Sequence, residues 1–181
     1  MKAAAPALTG LAPLVSPRTR LLILGSFPGA ASLAAQQYYA HPQNQFWKIL
    51  FALWPESAAP VDGADYERRC RWLLDRRLGV WDVYAACERT GSLDSSIRRP
   101  VVNDLAALRA RLPQLAAIAH NGGESFRHAA HTRALGLPVY RLPSTSPANA
   151  SWSFARKLDS WRAVCVAAGV LAAPGPPAPP A

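Results

Sequence analysis

Four short apolar runs recur along the chain, and they have the length and continuity of buried strands. The runs are RLLILG (Arg20–Gly25), GVWDVYA (Gly79–Ala85), LAAIAH (Leu115–His120) and PVYRLP (Pro138–Pro143). Strands that are covered on both faces lose the alternation of apolar and polar residues and become largely continuous apolar segments. We therefore predict four strands of one parallel sheet.

Helical periodicity fills the segments between and after these runs. Five segments carry it: Asn44–Leu53, Asp65–Leu78, Asn103–Leu112, Gly123–Leu135 and Ser151–Ala168. Asn103 can cap the third helix, because an asparagine side chain accepts a hydrogen bond from the free N–H groups of a first turn. Strands that alternate with helices predict an α/β fold whose parallel sheet is covered on both faces.

The composition divides the chain into one body and two ends. Residues 1–19 are rich in Ala and Pro and are predicted to be a loose N-terminal arm, although GLAPLVSP can pack against the body. Residues 20–171 are predicted to form one domain, a size that can bury a sizeable core. Residues 172–181, AAPGPPAPPA, hold too many prolines for helix or sheet and are predicted to be a disordered tail.

The loops that follow the four strands are predicted to line one site, because ligands bind at the carboxyl ends of parallel strands. These loops begin after Gly25, Ala85, His120 and Leu142. In the first loop, GSFPGAASL, two glycines flank Ser26 and allow a ligand to approach the backbone closely. An ordinary strand-to-helix turn explains this loop equally well, and it lacks the Lys-Ser/Thr ending of a phosphate-binding P-loop.

The stretch YYAHPQNQFW, from Tyr38 to Trp47, fits neither strand alternation nor a helical stripe. Phe46 and Trp47 enter the next helix, where core packing can explain both, and Trp47 is predicted to pack in the core. Asn44 can cap that helix. Tyr39, His41 and Asn44 together place an aromatic face and two polar groups in a loop broken by proline, which favours a binding role.

Polar side chains also follow the third and fourth strands. Asn121 begins NGGESF, where it can present an amide to a ligand or cap the next helix. The fourth loop, LPSTSPANASWSFARK, places three hydroxyl side chains before a helix, and helix N-termini of this kind hold phosphates. Ser-Pro turns are also ordinary loop chemistry. The predicted contacts to phosphate are Ser144, Thr145, Ser146, Asn149, Arg156 and Lys157.

The net charge of +9 and the pI of about 10.2 favour a polyanionic partner, either nucleic acid or an anionic membrane surface. A solvated basic surface without a partner explains the composition equally well. No segment has the length and hydropathy of a membrane span, and residues 1–10 lack the apolar core of a secretory signal. Cys70, Cys87 and Cys165 are too far apart in sequence for a disulfide framework, a zinc site or an iron–sulfur site, and reduced thiols in the cytoplasm are expected.

The loops together resemble a known family. LILGSFPG, YYAHPQNQFWKIL, HNG and LPSTSPANA, in this order and on these strands, resemble the uracil-DNA glycosylase superfamily, most closely its hypoxanthine-DNA glycosylase (DNA-deoxyinosine glycosylase) branch. The AHPxNxFWK part is also similar to mismatch-specific uracil/thymine glycosylases. The resemblance covers Arg20 to Ala167. It implies a three-layer α/β/α sandwich around a four-stranded parallel sheet, and a monofunctional enzyme that flips a deaminated base from DNA and hydrolyses its N-glycosidic bond.

The resemblance also implies roles for single residues. Asn44 matches an asparagine that positions water, and Ser26 stands where many relatives place an Asp or Asn with that task. Tyr39 matches the aromatic residue that stacks on the flipped base, and Ser144 and Ser146 fall in the loop that grips phosphate. The implied base-binding set is Gly25, Phe27, Pro28, Tyr39, His41 and Asn121. A flipped base needs an aromatic face, an amide that reads its edge and an oriented water, and Tyr39, His41 and Asn44 can supply these.

Two departures from the family pattern bear on the substrate. Position 26 carries no acid, and Leu142 stands where classical uracil enzymes have a His that supports the leaving base. Both weigh against efficient uracil excision and fit a branch of the family with another preferred base. A uracil- or xanthine-directed enzyme of the same fold, a non-catalytic nucleic-acid-binding module and a small nucleoside hydrolase remain as alternatives. We expect no cofactor, metal or iron–sulfur cluster, no membrane partner, a monomer, and a nucleoid-associated bacterial-type enzyme in the cytoplasm whose partner is DNA containing deaminated bases.

Overall fold

The elements alternate between strand and helix through most of the structure, a computed structural model that describes residues 7–56 and 65–175. The strands are β1 (Ala7–Thr9), β2 (Leu21–Gly25), β3 (Leu78–Asp82), β4 (Tyr84–Glu88), β5 (Arg98–Val102), β6 (Ala117–Asn121) and β7 (Val139–Leu142). The helices are α1 (Ala30–Ala35), α2 (Phe46–Leu53), α3 (Tyr66–Asp75), α4 (Leu105–Ala110), α5 (Gly123–Phe126), α6 (Ala129–Arg133) and α7 (Phe154–Ala167). A 3₁₀ turn spans Asp94–Ser96.

The predicted four-stranded parallel sheet is confirmed, with the strand order β3-β2-β6-β7. Strand β2 lies inside the sheet, and every one of its residues is buried. Successive side chains of a strand point to opposite faces. Leu21 and Ile23 therefore join the core on one face, and Leu22 and Leu24 join the core on the other.

Each face of the parallel sheet has its own cover. Helices α2, α3 and α7 pack on one face, where Phe46, Trp47 and Trp161 form an aromatic core with edge-to-face ring contacts. The other face packs against α4 through Leu105 and Leu108 and against a small antiparallel sheet, β1-β4-β5. The α/β architecture implied by the sequence is thus present. In the described part of the chain, no helix is long and apolar enough to cross a membrane.

The predicted strand Gly79–Ala85 is wrong, because the structure divides it between two sheets. Strand β3 ends at Asp82, and after Val83 the chain continues as β4, which pairs antiparallel with β1 and β5. An apolar run indicates burial and not the partner of each residue, so hydropathy alone does not show where a strand changes sheet. Strand β5, which is exposed along its whole length, carries no such run and was not predicted.

Residues 7–19 are packed against the body, which corrects the prediction of a loose arm. Strand β1 pairs with β4, and Leu14 and Val80 exchange two backbone hydrogen bonds of 2.9 Å each. These bonds satisfy part of the outer edge of β3, which would otherwise be exposed. Residues 1–6 and most of the predicted tail lie outside the described residues.

Two helix predictions also need correction. Helix α4 is capped by Asp104, whose carboxylate accepts from the Ala107 N–H at 2.9 Å, and not by Asn103. Asn103 instead donates its side-chain amide to the Asp82 carbonyl at 2.8 Å. The predicted helix Gly123–Leu135 consists of the two short helices α5 and α6, which Arg127 and His128 separate.

Candidate active site

A cavity of about 660 Å³ opens where the parallel strands end. The loops after β2, β6 and β7 line it, as predicted. After Ala85, the turn at residues 92–95 also lines it, as predicted, and β3 adds its last residue, Asp82. The predicted site residues in the lining are Gly25, Ser26, Phe27, Pro28, Tyr39, His41, Asn44, Asn121, Ser144, Thr145, Ser146 and Asn149.

The first loop is tied to the turn at residues 92–95. Ser26 Oγ donates to Asp94 Oδ1 at 2.6 Å, and the Ala30 N–H donates to Ser92 Oγ at 2.9 Å. Position 26 carries no acid, but the Asp94 carboxylate lies beside it in the lining of the cavity. Removal from water raises the pKa of Asp94, and its bond with Ser26 opposes that effect.

A buried arginine supports the same loop from behind. Arg89 is 1% exposed, lies over the Phe27 ring at 5.1 Å and donates through Nη2 to the Pro28 carbonyl. Its Nε and Nη1 atoms are buried without a hydrogen-bond partner among the described residues. Phe27 and Pro28 therefore line the cavity as a fixed wall, because both are held on the side away from it.

Tyr39 joins two walls of the cavity. Its ring stacks on Phe46 with centroids 3.9 Å apart, and its hydroxyl accepts from Asn121 Nδ2 at 3.1 Å. The residue has a φ of +54°, a left-handed conformation that is uncommon outside glycine. Burial chiefly raises the pKa of the Tyr39 hydroxyl, so the side chain stays a neutral phenol. The backbone and the stacking together fix the direction of the ring.

Asn44 lies just before α2, bonds to its first residue and also lines the cavity. Its Oδ1 accepts from the Phe46 N–H at 3.0 Å, in the first turn of α2. The N-cap of α2 is Gln45 and not Asn44, so Asn44 supports the start of the helix from one residue further out, and one lone pair of its Oδ1 stays available. His41 is exposed, and its Nδ1 accepts from the Gln43 N–H at 3.1 Å, so Nε2 carries the proton of the neutral ring.

Most of the hydrogen-bonding capacity of the Asn121 side chain is used within the protein. Its Nδ2 donates to Tyr39 and to Thr145 Oγ1, at 3.1 and 3.0 Å, and its Oδ1 accepts from the Thr145 N–H at 3.1 Å. Asn121 lines the cavity as predicted, but both N–H groups are already committed. It holds Tyr39 and the fourth loop together and has one lone pair of Oδ1 to offer a base.

The hydroxyl-rich fourth loop is folded on itself. Ser144 Oγ accepts from the Ser146 N–H at 3.1 Å, and Asn149 Nδ2 donates to the Ser144 carbonyl at 3.1 Å. Both serines and Asn149 remain partly accessible. Thr145 does not, since it is 0% exposed and bonded to Asn121, which corrects its prediction as a DNA contact.

The two basic residues predicted to contact DNA have different environments. Arg156 is exposed, with its guanidinium 4.3 Å from the centre of the Trp152 ring. Lys157 is 2% exposed, and its Nζ donates to Gln45 Oε1 at 2.9 Å. The prediction for Lys157 is therefore wrong, because a phosphate cannot reach a buried ammonium group. Neither residue lines the cavity.

Asp82 is the main feature that sequence reasoning missed. It ends β3, is 5% exposed and lines the cavity. Its Oδ2 has no hydrogen-bond partner among the described residues. Burial raises the pKa of the carboxyl to about 7, and the charge of Asp94 adds to the rise while that of Arg89 opposes it. An acid inside an otherwise apolar run was the available signal, because such a residue needs a reason to be buried.

The described residues contain neither a metal-binding cluster nor a reactive thiol. Within residues 7–56 and 65–175, no group of three or more His, Cys, Asp or Glu side chains is arranged to hold a metal ion. Cys87 and Cys165 are buried free thiols, and Cys70 is half-buried. Burial raises the pKa of all three, which keeps them protonated.

Comparison with known proteins gives a consistent result. The sequence profile of the Uracil DNA glycosylase superfamily matches residues 12–166. Hypoxanthine DNA glycosylase of Methanosarcina acetivorans is 35% identical over 155 residues, which cover 86% of this chain and 96% of that protein. The Methanosarcina barkeri enzyme of the same name is 34% identical over 140 residues, 77% of this chain and 87% of the other. The solution NMR structure of a Methanosarcina acetivorans protein, described as a candidate uracil DNA glycosylase, superposes with a TM-score of 0.79 at 33% identity, covering 91% of this chain and 99% of that one.

Proposed function

This chain belongs to the uracil DNA glycosylase superfamily, and from that premise we propose that it is a monofunctional DNA glycosylase that flips hypoxanthine out of DNA and hydrolyses its N-glycosidic bond. The relatives named for hypoxanthine support this choice of base. So does Leu142, which is 1% exposed and offers no hydrogen bond where classical uracil enzymes carry a His. The observation that carries the proposal is the cavity that unites Tyr39, Asn44 and Asp94.

The flipped base stacks against the cavity side of Tyr39. Phe46 holds the other face of this ring, so little side-chain freedom is lost when a base binds. Stacking is tolerant of base identity, because every base has a π-face. Selectivity therefore comes from the polar groups around the ring and not from Tyr39 itself.

Asn44 and the Ser26–Asp94 pair act on the sugar. Hydrolysis passes through an oxocarbenium-like transition state, which a nearby negative charge stabilises and an oriented water attacks. The free lone pair of Asn44 Oδ1 accepts a proton of that water, and the bond to Phe46 keeps the amide in place. The Asp94 carboxylate supplies the charge, and Ser26 fixes its position at 2.6 Å.

Leu93 fills the gap that the flipped base leaves in the stack. It lies at the cavity and is 57% exposed, which is unusual for a leucine. Its neighbours Ser92 and Asp94 are both bonded to the first loop, so the apolar side chain is presented from an anchored turn. Apolar wedges of this kind separate base steps in bent or flipped DNA.

Leu93→Ala is expected to slow cleavage of a deoxyinosine duplex by about tenfold or more, because an unfilled gap lets the base return to the stack. Cleavage of the same lesion in single-stranded DNA has no gap to fill and should be nearly unchanged. Val101→Ala is the matched control, since Val101 is equally exposed at 57% on β5 but does not line the cavity. Equal losses on both substrates would argue against a wedge.

The proposed function is tested with duplexes that carry one hypoxanthine, uracil, xanthine or mismatched thymine. Release of hypoxanthine, with an alkali-labile abasic site left behind and no strand nicking by the enzyme, is the expected result. Preferential release of uracil or xanthine would show that the enzyme prefers another base but hydrolyses the same kind of bond. Binding of DNA without release of any base would support a non-catalytic module. Turnover of free deoxyinosine would support a nucleoside hydrolase.

A further inference from the structure

Asp82 is a buried acid that lines the cavity, and the proposed function gives it no role. We propose that Asp82 donates a proton to the departing purine, and so serves as the general acid of the reaction. This inference rests on the proposed excision of hypoxanthine. It concerns a residue at the end of β3, distant in sequence from the loop residues that resemble the family.

The fold places the Asp82 carboxyl in the wall of the cavity, beside Gly25. Asp82 is the register partner of Gly25 across β2 and β3, so both residues stand at the carboxyl edge of the sheet. The carboxylate occupies the space where a side chain at position 25 would lie, since a Cβ there would collide with Asp82 Oδ1. The same Cβ would lie 3.4 Å from Tyr39 Oη. The acid is therefore next to the ring on which the base is proposed to stack.

The surroundings of Asp82 favour its protonated form near neutral pH. No cation among the described residues lies within ion-pair distance of it; Arg89, the cation that faces it, is directed to the Pro28 carbonyl. Asp94 faces it from the 3₁₀ turn and disfavours a second negative charge. Tyr38 and Tyr39 face it from the segment before α2, and both stay neutral because their own pKa values are raised. Burial and these neighbours place the pKa of Asp82 at about 7, a value suited to proton donation at neutral pH.

The chemistry of a purine leaving group requires such a proton. As the bond between C1′ and N9 breaks, its electron pair moves into the purine ring, and the Asp82 proton is transferred to N7. Water bonds to C1′, and its surplus proton returns to the Asp82 carboxylate through solvent. The products are neutral hypoxanthine and an abasic sugar, and no electron donor or acceptor is involved. Uracil has no N7, so this acid favours purines over the base that classical relatives remove.

The test is the pH dependence of single-turnover cleavage of a deoxyinosine duplex, measured with a saturating concentration of enzyme. The wild-type rate should fall about tenfold per pH unit above pH 7, because only the protonated acid acts. Asp82→Asn keeps the size of the side chain and its ability to donate a hydrogen bond but cannot give up a proton. It should cleave on the order of a hundredfold more slowly at pH 6.5, with no fall between pH 7 and 9.

Asp94→Asn is the matched control, since it removes the other carboxyl of the cavity. The alkaline fall should persist in this variant and move to lower pH, because the charge of Asp94 raises the pKa of Asp82. If Asp94→Asn abolishes the fall and Asp82→Asn preserves it, the acid is Asp94 and the inference is overturned. A wild-type rate that is level from pH 6 to 9 overturns it without any variant. A wild-type enzyme that releases no hypoxanthine at any pH refutes the proposed function itself.

Discussion

Gly25 is the residue on which the geometry of the cavity depends most directly. It pairs with Asp82 across two buried strands, and the missing side chain leaves the room that the carboxylate occupies. Gly29, four residues later, has no such constraint: a Cβ there would meet Ser92 Oγ at an ordinary 3.6 Å, and its φ is −67°. The two glycines of the first loop therefore serve different purposes.

Gly25→Ala is expected to lower the free energy of unfolding by about 1–3 kcal/mol, because the new methyl group must displace a buried carboxyl or the strand that holds it. It should also reduce cleavage and alter its pH profile. Gly29→Ala is the reference and should cost no more than about 1 kcal/mol, the effect of placing alanine at the N-cap of α1. Chemical denaturation of both variants provides the measurement, and equal stability of the two would show that Asp82 moves freely.

Asn44→Ala separates the two tasks of this side chain. Loss of the hydrogen bond to the first residue of α2 should cost about 1 kcal/mol of stability. Loss of the oriented water should cost a hundredfold or more in single-turnover cleavage, or about 3 kcal/mol, with little change in DNA affinity. Asp104→Ala removes a comparable hydrogen bond from the start of α4, away from the cavity, and should reproduce the stability loss alone. If Asn44→Ala cleaves normally, the catalytic assignment moves to Ser26 or His41.

At the scale of elements, α7 shows that neighbouring residues of one helix have opposite environments. Arg156 faces solvent over Trp152, whereas Lys157 is buried against α2 through Gln45. Burial lowers the pKa of Lys157, because an ammonium group loses hydration in the interior. Helical geometry turns adjacent side chains by about 100°, so sequence proximity to a phosphate-binding loop does not by itself give access to DNA.

Single alanine substitutions of these two residues should therefore affect different properties: DNA binding for Arg156 and stability for Lys157. Arg156→Ala should reduce the salt dependence of DNA binding by about one phosphate contact and leave stability within about 0.5 kcal/mol. Lys157→Ala should leave the salt dependence unchanged and cost about 1–3 kcal/mol, because Gln45 Oε1 loses its donor in a buried site. Affinity titrations at several salt concentrations, with a melting curve for each variant, measure both effects. A salt dependence reduced only in Lys157→Ala would contradict this assignment.

At the scale of the whole molecule, the charge of +9 and the cavity acids have separate consequences. The net charge attracts the phosphate backbone without regard to sequence, which raises the encounter rate at low salt. The buried carboxyl of Asp82 affects the free energy of unfolding. An aspartate whose pKa rises from 3.8 to about 7 on folding stabilises the protein while it is protonated, and this contribution is lost as the pH rises towards 7.

The unfolding free energy of the wild type should therefore fall relative to that of Asp82→Asn by roughly 2 kcal/mol between pH 5 and pH 7. In this range the unfolded chain has released the proton and the folded chain still holds it, so the sign is a loss of stability with rising pH. The comparison with Asp82→Asn cancels the other titrating groups, including His120, whose pKa burial lowers to about 4. A stability difference that does not vary with pH would mean that Asp82 is ionised throughout.

The sequence by itself determined the central sheet and most of the loops around it. A run such as LLILG can only be buried on both faces, and turns rich in glycine and proline end such runs in recognisable places. The residues that follow these strands then meet at one edge because the strands are parallel. Asn121 and Ser144 could be predicted as neighbours for this reason alone, whereas α1 separates Tyr39 and Asn44 from β2, and the family resemblance added them to the site.

Only the tertiary structure decided which polar groups are free and which acids face the cavity. Thr145 and Lys157 carry suitable chemistry but are buried among partners distant in sequence. Asp82 and Asp94 enter the cavity because the chain changes sheet after Asp82 and returns through a turn bonded to Ser26. Local patterns carry information on burial and periodicity, whereas hydrogen-bond partners and pKa values depend on contacts between residues far apart in the chain, and these exist only once the chain is folded.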